Sequence, residues 1–542
     1  MERQKRLPRT HEPTTLGRLI EELARPKAYP HPAGAVTVLQ THISVVFLAG
    51  DFAYKLKKPV NLGFVDFSTP ELRRTFCRRE VELNRRLAPR VYLSVEPVVR
   101  TPEGLRVGVP GPAIDHLVRM RRLPADRTLA ALLERGEIQS GLLASLGHLL
   151  ARFHAEAERG PAIARWARWD RVAANCRENF EQLRPFVERT VSRTVLQRLS
   201  RLTEGLLADR RALIEARAER GIPCDGHGDL RLDHVYRLAG NPPAADEWTI
   251  IDCIEFNDRF RYLDPIADLA FLIMDLGFQG RRDLSRCLLE AYLAEANDRQ
   301  ASDLLDLYVA YRAVVRGKVE SLELAETEID RIERARAETR ARAHFLFALG
   351  TLAPPGERPC FILVAGLPGS GKTTLANGLA RHAGLERISS DEVRKSLAGL
   401  GPGGSARAEF GQGLYTDDWN KRTYEACLQA AEQVAFQGGR VVIDASFNRE
   451  RDRRQFIDAA ARLAIPILFL HCEAAEETAR RRLASRRGGA SDADWAIRAE
   501  MTQRTEPLGQ ATAARRRVVS TDGPERSSLE QAMQALATAG LH

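Results

Sequence analysis

Phe361-Ile362-Leu363-Val364-Ala365-Gly366-Leu367-Pro368-Gly369-Ser370-Gly371-Lys372-Thr373-Thr374 carries an apolar strand into a glycine-rich turn, and then into the helical stretch LANGLARHA. The spacing is G-x-x-x-x-G-K-T, and the strand–loop–helix context is what separates it from a chance glycine-rich turn. Glycines let successive backbone N–H groups converge on phosphate oxygens, and the helix N-terminus adds partial positive charge. Residues Gly366 to Thr374 therefore read as a cradle for the phosphates of ATP or GTP. Lys372 is expected to reach the β- and γ-phosphates, and the Thr373 hydroxyl to hold Mg²⁺.

Downstream, short apolar strands (CFILVAG, RVVIDAS, IPILFLHC, RRVVST) alternate with helical stretches. That rhythm predicts a parallel sheet with helices on both faces. Asp444 ends the strand VVID, where a carboxylate holds the metal; its alternative is a cap on the next helix. Asp391, in Ile-Ser-Ser-Asp391-Glu-Val-Arg394, can act as a base on a substrate hydroxyl or simply cap a helix. Arg394, one helical turn later, can clamp an anion. The run RRRLASRR, 480–487, is the densest basic stretch and is either an anion site or a solvated helix face.

GLPGSGKTT, SSDEVRK, VVIDASF with Arg451 to Arg454, and RRRLASRR together resemble the small-molecule and polynucleotide kinase branch of P-loop proteins. Gluconate-kinase-like, adenylylsulfate-kinase-like and polynucleotide 5′-kinase-like domains belong to that branch. The resemblance spans nearly all of 359–542. It implies that Asp391 is the base, that Arg394 contacts substrate, and that arginines among 480–487 form a lid over the phosphates.

The N-terminal half reads differently. SVVFLA and FAYKLK flank Gly50-Asp51, a hairpin turn dipeptide. Residues 70–88 look helical, starting after Ser68-Thr69 with Pro70 in the first turn. Residues 91–121 return to strands, and 126–220 and 262–350 are mostly helical. Between the helical blocks lies Gly226-His227-Gly228-Asp229, followed by His234 and then Thr-Ile-Ile-Asp252-Cys-Ile-Glu255. An H-x-D loop followed by an apolar strand ending in Asp is how the protein-kinase fold arranges a base and a metal ligand. Arginine greatly outnumbers lysine, so Lys55, Lys57, Lys58 and Lys372 invite a functional explanation.

These pieces resemble the aminoglycoside phosphotransferase (choline-kinase-like) branch of the kinase fold across most of 36–330. The resemblance implies Asp229 as catalytic base, Asp252 as metal ligand, Lys55 as the nucleotide-phosphate lysine and Glu80 as its partner. It also implies HLVRMRRLP (116–124) as the hinge at adenine, and Asp264 with Asp268 as braces of the catalytic loop. On the residues alone, Lys55 could be a solvated edge-strand lysine and Glu80 a surface partner of an arginine. The family has Asn five residues after the catalytic Asp; here the position is His234, and imidazole suits Mg²⁺ less well than an amide oxygen. The order of the two halves is similar to proteins described as bifunctional aminoglycoside phosphotransferase/ATP-binding proteins, which include AAA family ATPases.

The expected fold class is α/β plus α+β: a kinase-like domain at 1–345, a linker at 346–358 and a P-loop NTPase domain at 359–542. With 542 residues, two or three domains are the starting expectation. The net charge of +9 comes from basic residues interleaved with acids, so nucleic acid is a possible partner of the C-terminal domain but not the favoured one. Eight scattered cysteines, and no run of eighteen apolar residues, suggest a cytoplasmic protein without a membrane span. The function expected is transfer of phosphate from ATP or GTP, with Mg²⁺, to an unidentified hydroxyl-bearing acceptor. Two alternatives stand beside it: an N-terminal ligand-binding module that regulates a P-loop ATPase, and a P-loop switch ATPase without an acceptor.

Overall fold

The computed structural model describes residues 15–63, 65–238, 247–324, 330–400, 414, 416–485 and 495–542. The chain divides into two compact units. The first comprises 1–168, 215–275 and 283–299, and the second 169–214, 276–282 and 300–542.

In the first unit, β1 (Thr37–Gln40), β2 (Ser44–Ala49), β3 (Phe52–Lys57), β4 (Tyr92–Thr101), β5 (Gly104–Val107) and β6 (Ala113–Arg121) form one antiparallel sheet, ordered β1-β2-β3-β6-β4-β5. The hairpin turns at Gly50-Asp51, with Ala49 opposite Phe52, and Gly50 has φ +57°, as the first central position of such a turn requires. Alternation along β3 sends Tyr54 and Leu56 into a core with Val45, Phe47 and Leu23. The opposite face carries Ala53, Lys55 and Lys57 toward the helix Pro70–Asn84, whose Cys77 and Val81 pack with Ala53 and Val118. That helix starts where its capping residues predict: Thr69 accepts from the Leu72 N–H at 3.3 Å, and Pro70 takes the first turn.

Two small hairpin-like pairs build the loop region: β7 (Cys224–Asp225) with β10 (Tyr262–Leu263), and β8 (Val235–Leu238) with β9 (Glu247–Ile250). They bracket the His227–Asp229 loop and place Asp252 just past the end of β9. Helix Pro265–Phe278 follows, almost wholly buried through Leu269, Ala270, Leu272 and Met274.

In the second unit, β11 (Cys360–Ala365), β12 (Glu386–Ser389), β13 (Arg440–Asp444), β14 (Ile467–Glu473) and β15 (Arg516–Ser520) form a parallel sheet ordered β12-β13-β11-β14-β15. β11 is buried at every position, as expected of a central strand covered on both faces. Helices Lys372–Ala383 and Glu525–Thr538 pack over Ile362, Val364, Val442 and Leu470. Helices Asp417–Phe436 and Glu450–Arg462 pack against β13 and β11.

The expected linker, 346–358, is shorter than read from sequence. Helix Arg331–Leu352 continues through its first half because Phe345, Leu346, Phe347, Ala348 and Leu349 are apolar and buried. Only 353–359 is irregular, around the short turn Pro355–Glu357. Nor do the compact units part at 345: helices Trp169–Gln182, Leu305–Glu323 and Arg331–Leu352 group with the parallel sheet.

Candidate active sites

The glycine-rich loop joins β11 to helix Lys372–Ala383. Gly371, at the N-cap, has φ +78°, so an L side chain would be strained there. The loop is tied from outside: Thr521 Oγ1 donates to the Ser370 carbonyl at 2.7 Å, and Arg482 Nη1 to the Gly369 carbonyl at 3.5 Å. Arg498 donates to the Pro368 carbonyl. Thr373 and Lys372 both lie close enough to Asp444 to lower its carboxyl. Burial pushes the Asp444 carboxyl up, and Lys372 and Thr373 only partly offset it. Asp444 Oδ1 and Ser370 Oγ are buried without a hydrogen-bond partner among the described residues. An orphaned carboxylate oxygen beside a threonine hydroxyl fits a hard divalent cation, so these residues suit Mg²⁺.

A cleft of about 1290 Å³ opens beside the loop, lined in part by Gly371, Lys372, Thr373, Arg482, Thr521 and Gly523. Asp391 lies in the first turn of helix Ser390–Leu397 and acts electrostatically on Asp444. Arg394 is buried and donates to the Leu414 carbonyl at 2.8 Å. Of the 480–487 arginines, Arg482 holds the Gly369 and Thr521 carbonyls, while Arg480 lies over the Trp495 ring at 4.5 Å. Arg486 and Arg487 lie outside the described residues.

In the first unit, Lys55 Nζ lies 2.9 Å from Glu80 Oε1 and 2.7 Å from Asp252 Oδ1. Lys57, two residues on and thus on the same face, is buried: it bonds Glu80 Oε2 at 2.6 Å and pairs with Glu255. Neither lysine is a solvated edge residue, because helix Pro70–Asn84 covers that face. Burial alone would raise the Glu80 carboxyl, but Lys55 and Lys57 outweigh it and hold it below the usual range. The same contest goes the other way at Glu255, where burial wins and the carboxyl is raised. At Asp252, burial is outweighed by Lys55 and His234, and the carboxyl is lowered. Asp252 has φ +64°, a left-handed backbone that only a few of the described non-glycine residues adopt.

The His227–Asp229 loop is held by Asp268, on helix Pro265–Phe278. Its carboxylate accepts the His227 N–H at 2.6 Å and the Gly228 N–H at 2.9 Å, and it meets His154 Nε2 at 3.1 Å. Gly228 has φ +87°, and a Cβ there would come within 2.8 Å of the Phe260 carbonyl. His227 Nε2 donates to the Ile251 carbonyl at 3.1 Å while Nδ1 accepts from the Asp229 N–H at 3.3 Å. The ring is thereby fixed neutral, and burial lowers its pKa to about 4. Asp229, His234 and Asp252 each offer a ligand atom, all within 4.8 Å of one another.

Tyr92 and Thr521 escaped the sequence reading, which singled out Lys57 without a partner and quoted Glu255 without a role. Tyr92, whose hydroxyl receives the Asp252 N–H at 3.1 Å, stands on β4 with no motif around it. For Lys57 a signal existed: it repeats the Lys55 face at a spacing of two.

A parallel sheet with the 2-3-1-4-5 strand order and a G-x-x-x-x-G-K-T loop defines a P-loop domain, and the antiparallel sheet with its Lys55–Glu80 pair and His227–Asp229 loop defines a protein-kinase-like one. Residues 361–508 match the family described as AAA domain. The chain belongs to the family of the Mycobacterium tuberculosis (strain ATCC 25618 / H37Rv) protein named Uncharacterized protein Rv2004c: the two are 35% identical over 497 residues, 92% of this chain and 94% of that one. Uncharacterized protein Mb2027c of Mycobacterium bovis matches to the same extent, at 35% over 497 residues. Solved structures that align with parts of the chain include a choline/ethanolamine kinase family protein from Mesorhizobium loti, 15% identical, covering 62% of this chain and 98% of that one with a TM-score of 0.36. A gluconokinase from Sinorhizobium meliloti 1021 is 20% identical and covers 34% of this chain and 94% of its own, with a TM-score of 0.26.

Proposed function

We propose that this chain is a cytoplasmic phosphotransferase with two nucleotide sites, each moving a phosphoryl group from ATP (or GTP), with Mg²⁺ at the P-loop, to a hydroxyl-bearing acceptor. The observation that carries the reading is the convergence of Lys372, Thr373 and Asp444 beneath the loop, with Asp444 Oδ1 buried and unshared. A bound divalent ion supplies charge neutralisation for the phosphates. The chain's own groups do the rest. Loop N–H groups and Lys372 position the phosphate tail, Thr373 and Asp444 hold the ion, and Asp391 takes the acceptor's proton. In the first unit, Lys55, fixed by Glu80, addresses the nucleotide phosphates, Asp252 holds a metal and Asp229 serves as base. The eight free thiols favour a reducing compartment. No helix among the described residues is long and apolar enough to cross a membrane. A small molecule is the favoured acceptor, with a nucleic-acid 5′-hydroxyl as the alternative at the P-loop site.

A screen with γ-labelled ATP against small metabolites and 5′-hydroxyl oligonucleotides tests this on wild type, Lys372→Ala and Asp229→Asn. Each product is expected to vanish in one variant only. The close Lys55–Asp252 contact also suits a second reading, in which the first unit binds a ligand and regulates the P-loop domain. Label transfer abolished by Asp229→Asn excludes that reading; no transfer dependent on either residue overturns the first.

A further inference from the structure

His234 stands five residues beyond Asp229 and lies between the two acids of the first unit's site. Its Nδ1 is 3.0 Å from the Asp229 carbonyl oxygen. A carbonyl can only accept, so Nδ1 bears the proton and, in the neutral ring, Nε2 bears the free electron pair. Nε2 faces Asp252 Oδ2 at 3.6 Å. Two electron pairs opposed across such a gap repel unless a cation lies between them. Lys55 is not that cation, because it sits on the other oxygen, Oδ1, at 2.7 Å. The carboxylate is thus divided, one oxygen for the lysine and one for whatever His234 shares.

An imidazole N–H tied to a carbonyl is also how metal-binding histidines are oriented, which sharpens the basicity of the opposite nitrogen. Two ligand atoms each about 2.1 Å from one ion stand roughly 3.0–3.4 Å apart at octahedral to tetrahedral angles. The observed 3.6 Å needs to close by only a few tenths of an ångström. Mg²⁺ demands oxygen ligands and keeps its waters, whereas imidazole nitrogen suits first-row transition ions.

We propose that His234 Nε2 and Asp252 Oδ2 are ligands of a divalent first-row transition ion, so that this site selects Mn²⁺, Co²⁺ or Zn²⁺ over Mg²⁺. The inference rests on the kinase-like reading of the site and specifies its metal. Asp229 stays free to act as base, since the pair of ligands does not require it.

The test uses the metal-free full chain at pH 7.5 without nucleotide, so that the P-loop has no phosphate with which to recruit an ion. Co²⁺ is titrated by its visible absorption, Mn²⁺ by loss of its free EPR signal, and Mg²⁺ is added as competitor. One Co²⁺ per chain is expected, held at least tenfold more tightly than Mg²⁺. His234→Asn is expected to weaken Co²⁺ binding by about 10–100-fold and to erase the preference over Mg²⁺. His234→Cys is expected to keep Co²⁺ and add a thiolate-to-cobalt charge-transfer band, which also shows that a substitution here leaves a folded site. The proposal is overturned if wild type binds no Co²⁺, in which case a proton fills the gap. It is equally overturned if His234→Asn leaves the cobalt spectrum and affinity unchanged. The two readings fail separately. A His234-dependent cobalt spectrum without phosphoryl transfer removes the enzyme and leaves the metal; transfer lost in Asp229→Asn, with cobalt indifferent to His234, does the reverse.

Discussion

Among the described residues, Glu80 is the group that pairs with both Lys55 and Lys57 of β3, and its removal gives the sharpest test of how that face is held. Its side chain is wholly buried, with Oε1 2.9 Å from Lys55 Nζ and Oε2 2.6 Å from Lys57 Nζ. In Glu80→Ala each ammonium keeps one partner, Asp252 for Lys55 and Glu255 for Lys57, but loses half of its compensation. Breaking a buried ion pair by removing one member costs about 3–5 kcal/mol. For a unit of roughly 250 residues, at about 2–4 °C per kcal/mol, the calorimetric transition of the first unit should fall by about 6–20 °C. The lowered Glu80 carboxyl also sets a pH window. Its contribution is present above the unfolded value of 4.5 and is lost as pH falls through the depressed folded value, so wild type and variant should converge in acid. Adding Lys57→Met removes one under-compensated charge, and Glu255, whose carboxyl burial already raises, can take a proton instead. The double variant should therefore regain at least about 1 kcal/mol over Glu80→Ala. The reasoning is refuted if Glu80→Ala moves the transition by less than about 2 °C, or if Lys57→Met deepens the loss additively.

Three further outcomes are expected. His227 is held neutral with a folded pKa of about 4 against an ordinary 6.5, so the unfolded chain binds its proton more tightly and stability is lost as pH falls between those values. At about 1.36 kcal/mol per unit this is roughly 3 kcal/mol, and His227→Gln, which cannot ionise, should flatten denaturant-unfolding free energies over that window. Asp268→Asn exchanges one acceptor oxygen for a donor against the His227 and Gly228 N–H groups. It should lower kcat of any Asp229-dependent reaction at least tenfold and expose those amides to faster hydrogen exchange; unchanged exchange would remove Asp268 as the loop's brace. Lys372→Ala should weaken binding of a fluorescent ATP analogue at least tenfold while leaving thermal unfolding within about 2 °C, because the lysine is a point charge at the loop and not part of the core.

Sequence made local features legible and left tertiary meetings obscure. The Ser44–Ala49 and Phe52–Lys57 strands, the Gly50-Asp51 turn and the Thr69-Pro70 helix start all follow from residues within a few positions of one another. The G-x-x-x-x-G-K-T loop was equally plain, because its spacing is its mechanism. Glu255 was not, since only tertiary packing brings it to Lys57, 198 residues away. Thr521 was missed for the same reason: nothing in β15's flank announces that its hydroxyl ties a loop 151 residues earlier. The early linker boundary failed on composition. The charged stretch before Phe345 reads as an ending, yet the apolar turn that follows it keeps the helix going to Leu352.

The arginine and threonine ties at the carbonyls of Pro368, Gly369 and Ser370 have a kinetic corollary. With those oxygens claimed from behind, the loop's amides are already aimed before any nucleotide arrives, and little ordering entropy remains to be spent on capture. Association should then be limited by encounter and not by rearrangement, and differences in affinity between nucleotides should appear in how slowly they leave.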